Sequence, residues 1–488
     1  PAPEFTISES DNYVSASHPV EEILVNIWKD VLGIEKVGIH DNFFELGGDS
    51  IISIQIISRA NHAGLKISPK QIFQHQTIAG LASVIDYIIK SDTQQDLVIG
   101  DIPLTPVQHW FFEQDLPEPH HYNHSVLLKV PKGLNDNYLS KAFSELIRHH
   151  DALRLKFEKE KNTSEWIQSI DDYKNVSVFS SLDISKSDSN DNIMDEDIGE
   201  MQKSLSLSEG VLIKAKLYRS SSGEEDRILI IIHHLAVDGI SWRILLEDLF
   251  NAYLQLSSGK EIVFPQKTES FKKWSSRLIE YSASDKTLEE KDHWVAIANE
   301  KVREIPSDIS KDRNLNTVES ADTVSAELDD ESTRTLLKDV PKVYNTRIND
   351  ILLTALILSY YKWSSESSLI INLEGHGREE ILESEDISRT VGWFTSIFPV
   401  VLELYNKDDI GESIKNAKEN LRKIPHNGIG FGILKYMSSD ESLKVKLRSI
   451  PDPGIIFNYL GQINDSIVTG SDWKLGSRPI VLDQNKKG

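Results

Sequence analysis

The stretch Ile228-Leu-Ile-Ile-Ile-His233-His234-Leu-Ala-Val-Asp238-Gly239-Ile-Ser241-Trp242 decides how the rest of the chain is read. Five successive apolar, mostly β-branched residues predict a buried strand. Two histidines end it and Asp238-Gly239 signals a turn. Ser241 is placed to cap a helix over Trp242 to Phe250, with Ile244, Leu245 and Leu249 inward. A strand end fixes a side chain in space, and an imidazole there can move protons near neutral pH. A bare His-His pair is more often two satisfied core groups, so its context must decide. Successive strand side chains face opposite ways, so His233 and His234 cannot both reach one site.

Composition narrows the classes. At 488 residues the chain exceeds one ordinary core, and two to four folded units are expected. With 39% hydrophobic and 26% charged residues it reads as a soluble globular protein. A net charge of −23 disfavours duplex nucleic acid and anionic membranes. The absence of cysteine excludes disulfides, thiolate metal sites and a Cys nucleophile. Apolar runs such as Ile351–Leu358 fall far short of the ~20 residues that span a bilayer. No signal peptide is recognisable, and the start Pro-Ala-Pro-Glu reads as a piece excised from something larger. A cytoplasmic location is expected.

Working outward, residues 1–18 are polar and read as linker. A helix is predicted from Pro19 to Leu32, with Ile23, Leu24, Ile27 and Val31 on one face and Gly33 as its stop. Gly47-Gly48 permits a turn, and Asp49-Ser50 opens a run rich in isoleucine that suits a helix or, on propensity alone, a strand. Helices over Pro69 to His75 and Ile78 to Ile89 would complete a small bundle. An exposed serine at a helix start suits attachment of an anionic group, because free backbone N–H groups and the helix dipole point there. An ordinary N-cap explains the same spacing.

Residues 91–101 form a second polar linker. His120, His121 and His124 cluster without an acidic or Cys ligand at a recognised spacing, so no metal is assigned. Residues 185–200 are acidic and rich in Ser and Asn, and read as a solvated loop. The polar stretch 301–323 reads as a crossing between two lobes. Ile348 to Tyr360 is apolar nearly all round and predicts a buried helix. Leu369–Leu373 is then a strand ending at Glu374-Gly375, a carboxylate beside a glycine that leaves room for a ligand.

Several strings resemble known families. His233-His234-Leu-Ala-Val-Asp238-Gly239-Ile-Ser241-Trp242 resembles the condensation/epimerization superfamily of nonribosomal peptide synthetases, whose lobes are chloramphenicol-acetyltransferase-like. The resemblance makes the second histidine, His234, catalytic and gives His233 and Asp238 structural roles, with Arg378 the expected ion-pair partner of Asp238. Leu46-Gly-Gly-Asp-Ser50-Ile51 is similar to the carrier-protein motif, which implies 4′-phosphopantetheine covalently on Ser50. Asp before that serine resembles carriers that feed epimerization domains.

Leu104-Thr-Pro106-Val-Gln108-His-Trp110-Phe111 and Arg389-Thr-Val-Gly-Trp393-Phe394 resemble epimerization motifs, while Arg148-His-His-Asp151-Ala-Leu-Arg154 matches a structural motif of the superfamily. Glu374-Gly-His-Gly-Arg378-Glu379 resembles epimerization domains and not ordinary condensation domains. Phe457-Asn458-Tyr459-Leu460-Gly461-Gln462 matches a further motif whose Asn and Tyr line the site. The family adds more C-lobe strands than the 26 residues after Gln462 allow, so a truncated C-lobe is expected.

The resemblance implies a small all-α carrier bundle (19–90), then a two-lobed α/β domain (102–488, lobes about 102–300 and 301–488) with a tunnel between the lobes. It implies an amino-acid epimerase that inverts a carrier-bound aminoacyl or peptidyl thioester. His234 and Glu374 would move the protons, with Asn458 and Tyr459 relaying or positioning. The implied partners are a phosphopantetheinyl transferase, an upstream adenylation domain and a downstream condensation domain. A peptide-bond-forming condensation domain and an idle carrier-docking module are the alternatives.

Overall fold

The isoleucine- and leucine-rich faces of the first ninety residues close on one another as a helical unit. The computed structural model of the protein describes residues 13–87, 95–163, 165–172, 178–185, 190–220, 225–300, 305–306, 320–379, 381–382, 386–461 and 473–476. In this unit α1 (Pro19–Leu32) ends at Gly33, whose φ of 66° suits glycine. The isoleucine-rich run is helical, α2 (Ser50–His62). Asp49 decides this by capping it: its Oδ1 accepts from Ile51 N at 2.9 Å and Ile52 N at 2.8 Å. After β1 (Leu65–Lys66) and α3 (Pro69–Gln74), α4 (Ile78–Ala82) stops well before Ile89. The Ser83 hydroxyl bonds back to Gly80 O, and Asp86–Tyr87 becomes β2, paired with β1. Residues 88–90 of the expected helix lie outside the described residues. Leu24, Trp28, Phe43, Ile56 and Ile72 form the core. Val14, inside the expected linker, joins this unit by accepting from Ile39 N at 3.0 Å.

The second unit begins earlier than 102. Gly100–Ile102 is β3, which pairs with β6 (Trp166–Ile170), and β6 pairs with β5 (Leu155–Lys159). Between them come α5 (Pro106–Glu113), β4 (Asn123–Pro131) and α6 (Asp136–His149). A larger sheet is built on β4, with β7 (Phe179–Asp183), β8 (Ile213–Arg219) and β9 (Glu225–His233) following it in the order β4-β9-β8-β7. Leu139, Phe143 and Leu146 of α6 cover one face together with Leu245 and Leu249 of α8 (Gly239–Ser257). The other face meets α7 (Asn190–Lys203), where a solvated loop is expected from composition. Met194 and Met201, seven residues apart, form a narrow buried stripe on that otherwise polar helix with Tyr218, Leu229 and Ile231.

The chain continues through α9 (Phe271–Ser282), α10 (Asp285–Glu289) and α11 (Lys291–Asn299). Most of the expected 301–323 crossing lies outside the described residues. Next come α12 (Asp330–Arg334), α13 (Val340–Tyr344) and α14 (Ile348–Ser364). β10 (Ser368–Gly375) pairs antiparallel with β11 (Ser396–Glu403). After α15 (Ile410–Arg422), α16 (Ile429–Met437) and α17 (Glu441–Arg448), β12 (Ile456–Phe457) adds to β10 in parallel. Leu353, Ile357, Leu369, Ile371, Phe398 and Leu434 make a separate apolar cluster for this half. α14 is buried along one side only, since Ala355 and Ser359 are exposed.

Where further C-lobe strands are expected, Lys474–Leu475 instead forms β13 on the edge of β4, in the first half's sheet. Trp473 anchors it against Phe250 and Tyr253 of α8.

Candidate active site

β9 ends at His233, and His234 opens the short turn after it, which separates the two rings. His233 is fully buried. Its Nε2–H donates to Pro119 O at 2.8 Å and its Nδ1 accepts from Leu235 N at 3.2 Å, so both nitrogens are used by a neutral ring. Burial pushes its pKa down to about 3. At His234 the Nδ1–H donates to Val237 O at 2.8 Å. A carbonyl only accepts, so Nδ1 carries the hydrogen and Nε2 keeps its lone pair. The ring stacks on Trp393 with centroids 4.1 Å apart, on Tyr122 at 5.5 Å, and meets His124 at 3.7 Å. Burial lowers its pKa to about 4, so it is neutral at neutral pH and competent as a base.

Asp238, and not Ser241, caps α8, which therefore starts at Gly239. It accepts from Ser241 N at 2.7 Å and from Phe394 N at 3.2 Å. Arg378 lies 3.4 Å from both Asp238 oxygens, and both residues are buried. Its guanidinium also donates to Ile387 O, Thr390 O and the Ser241 hydroxyl, and covers the Phe394 ring at 3.9 Å. Ser241 is thus free to bond Gly392 O at 2.9 Å. These bonds hold the 387–394 loop, and with it Trp393, against His234.

Glu374 ends β10 in the other half. Burial raises its pKa above the ordinary carboxylate value, and Asn458 Nδ2 donates to it at 2.5 Å. Tyr122 links the two halves. Its ring stacks on His234, and burial followed by the nearby charge of Glu374 raises its phenol to about 12. Tyr459 has a different neighbour: burial, then the charge of Asp49 in the helical unit, raises its phenol to about 12. Gln462 lies outside the described residues. Sequence reasoning did not single out Tyr122, and it treated His124 only as part of a metal cluster. A Tyr and a His two residues apart, leading into a strand, were the signal. The described residues contain no group of three metal-ligating side chains, and His120 Nδ1 is occupied by Leu207 N at 3.0 Å.

The helical unit docks beside this site through α2. Ile54 packs into the second unit's apolar cluster. Arg59 lies 3.9 Å from Glu247, which also pairs with Arg389 at 2.7 Å. Asn61 donates to Asp386 at 2.9 Å, and Arg347 covers the Phe73 ring at 4.8 Å. A Cβ on Gly461 would sit 3.0 Å from Asp49 Oδ2. The first-turn amides expected to receive an anion at Ser50 are already taken by Asp49. Nearby, burial lowers the pKa of the Arg243 guanidinium while the charge of Asp49 opposes that shift.

Comparison with known proteins agrees with this architecture. The family model described as "Condensation domain" matches residues 98–480, and the one described as "Phosphopantetheine attachment site" matches 22–85. A linear gramicidin synthase polypeptide of Brevibacillus parabrevis is 44% identical over 96% of this chain and 6% of its own length. Gramicidin S synthase 1 of Brevibacillus brevis is 42% identical over 96% of this chain and 42% of its own. The chain therefore spans less than half of either relative. The epimerization domain from the third module of tyrocidine synthetase B superposes with a TM-score of 0.74 at 36% identity, covering 80% of this chain and 86% of that one. The chain belongs to the condensation/epimerization superfamily of nonribosomal peptide synthetases and carries a phosphopantetheine carrier domain. No described helix is long and apolar enough to cross a membrane.

Proposed function

We propose that this chain epimerises an aminoacyl or peptidyl thioester held on its own carrier. The observation that carries the reading is that Tyr122 stacks on His234, neutral at neutral pH, and also feels the charge of Glu374, a half-buried carboxyl from the other half. We read the halves as the two lobes of a chloramphenicol-acetyltransferase-like domain, and the space between them as the substrate tunnel. Residues 19–90 act as the carrier, with Ser50 as the attachment point. When bound, phosphopantetheine supplies a thioester, whose carbonyl makes the adjacent α-hydrogen more acidic than in an amide. The charge of nearby Arg243 suits an anionic phosphodiester at Ser50, while Asp49 keeps the first-turn amides.

In one direction His234 Nε2 takes the α-proton, the electron pair moves into the carbonyl to give an enolate, and protonated Glu374 returns a proton to the opposite face. In the other direction the roles reverse. Burial raises the pKa of Glu374, which favours the protonated form relative to an exposed carboxylate. Asn458 fixes the carboxyl, and Tyr122, protonated up to about pH 12, remains a donor beside it. One lost donor to a developing oxyanion typically costs about 3 kcal/mol.

The test loads the full chain with an L-aminoacyl pantetheine and follows the configuration of the released residue. A D-residue is expected from the intact chain and no loading of Ser50→Ala. A longer peptide formed across two carriers, with configuration retained, would replace this reading by condensation.

A further inference from the structure

Three histidines gather where β4 starts and β9 ends. His233 spends its N–H on Pro119 O, and His234 spends its own on Val237 O. The third is His124. Among the described residues neither of its ring nitrogens has a hydrogen-bond partner, although the ring is partly buried. Asn123 turns away from the site and donates to Gln202, while Tyr122 and His124 on either side of it both meet the His234 ring.

The centroid of the His124 ring lies 3.7 Å from that of His234 with the planes tilted by 34°, and that of Trp393 lies 4.1 Å away with a tilt of 28°. Two rings so close and so nearly parallel cannot share one face of an imidazole, so His234 is held between them. Burial, then the neighbouring His234 and His233, keeps the His124 pKa well below its ordinary value. The ring is therefore neutral and carries one N–H, which is unspent. It lies in contact with the group that removes the α-proton. When that proton leaves, charge grows on the thioester oxygen, two bonds from the α-carbon, and a donor is needed there.

We propose that His124 is a further catalytic residue, donating its ring N–H to the thioester oxygen as the enolate forms. The α C–H bond breaks towards His234 Nε2, its electron pair becomes the C=C bond, and the carbonyl pair moves onto the oxygen that His124 holds. His124 keeps its own proton throughout, and protonation from Glu374 reverses the electron flow. A neutral imidazole can polarise a carbonyl in this way. This rests on the epimerisation reading above.

The test uses the full chain loaded with an L-aminoacyl pantetheine. His124→Phe keeps a ring against His234 without a donor, and His124→Gln keeps an N–H donor without the ring. Melting temperature, inversion rate and α-deuterium uptake in D2O are read for each. Phe should slow inversion about a hundredfold, the effect of one lost oxyanion donor, and Gln should recover most of that rate. Deuterium uptake should fall with inversion, because both pass through the enolate. His124→Leu, smaller and also without a donor, makes the same comparison should the Phe variant melt low. A donorless variant at the unaltered rate overturns the proposal and leaves a ring that only packs. Gln as slow as Phe overturns it too, and would make His124 a proton-transfer group. So does inversion slowed with deuterium uptake unchanged. Each of these leaves epimerisation standing, whereas no inversion by the unaltered chain removes that reading, and the donor with it.

Discussion

At His234 one ring nitrogen is bonded to Val237 O and the other keeps its lone pair. If His234 and Glu374 serve opposite faces of the α-carbon, His234→Ala and Glu374→Gln should each abolish inversion. In D2O at least one of them should still wash deuterium into the α-position with configuration retained, because one group can remove and return a proton on a single face. Mass and chiral analysis from both loaded enantiomers check this. Exchange from neither would shift both transfers to Glu374, with His234 stabilising the enolate.

Asp238 is a separate case, since its carboxylate meets a buried guanidinium, a helix start and the Phe394 amide. Asp238→Asn should destabilise the fold by about 3 kcal/mol in urea titration, at the low end for one lost partner of a buried pair because the contacts are 3.4 Å long. Normal stability with no activity would instead give Asp238 a direct chemical part. The Asp238–Arg378 pairing was expected from motif resemblance. That Asp238 and not Ser241 caps α8 was not, because both are good N-caps three residues apart and only the contacts from Gly392 and Arg378 claim Ser241.

Among the elements, α2 and the segment 458–461 form a joint between the carrier and Glu374. Gly461 has φ +75° and faces Asp49, while Asn458, three residues earlier, holds Glu374. Gly461→Ala combines left-handed strain of ~1–2 kcal/mol with the close approach. Inversion of the tethered substrate should slow by about tenfold while the melting temperature of the carrier unit stays near that of the unaltered chain. An unchanged rate would show that the joint does not need this fit.

Apolar patterning exposed α1 through its helical repeat and β9 through an unbroken apolar run. It missed α7, where two methionines and an isoleucine are the whole apolar stripe among acidic residues. It also overran α4, whose end is set by a strand pairing with β1 from twenty residues earlier. Tyr459 shows the same limit at the site: adjacent to Asn458 in sequence, it answers to a charge on another unit.

Over the whole molecule, burial holds His109 and His234 near pKa 4, His149 and His233 near 3, and His124 well below its ordinary value. A histidine with a depressed folded pKa binds its proton more readily when unfolded. Its contribution is therefore fully present above about pH 6.5 and is lost as pH falls towards the folded value. For fully buried His233 alone the slope reaches about 1.4 kcal/mol per pH unit across that window. Urea midpoints should fall from pH 7 to pH 5, and a flat profile would mean these rings are protonated at little cost.

The placement of β13 bears on how the molecule comes to be made. Until Lys474 and Leu475 have left the ribosome, β4 presents a bare strand edge, and at ~5–20 residues per second that wait is long. An open edge of this kind invites pairing with the wrong chain, and Lys129 on it is the sort of charge that discourages such pairing. Nascent chains stalled before residue 474 are thus the ones that a chaperone would have most reason to hold.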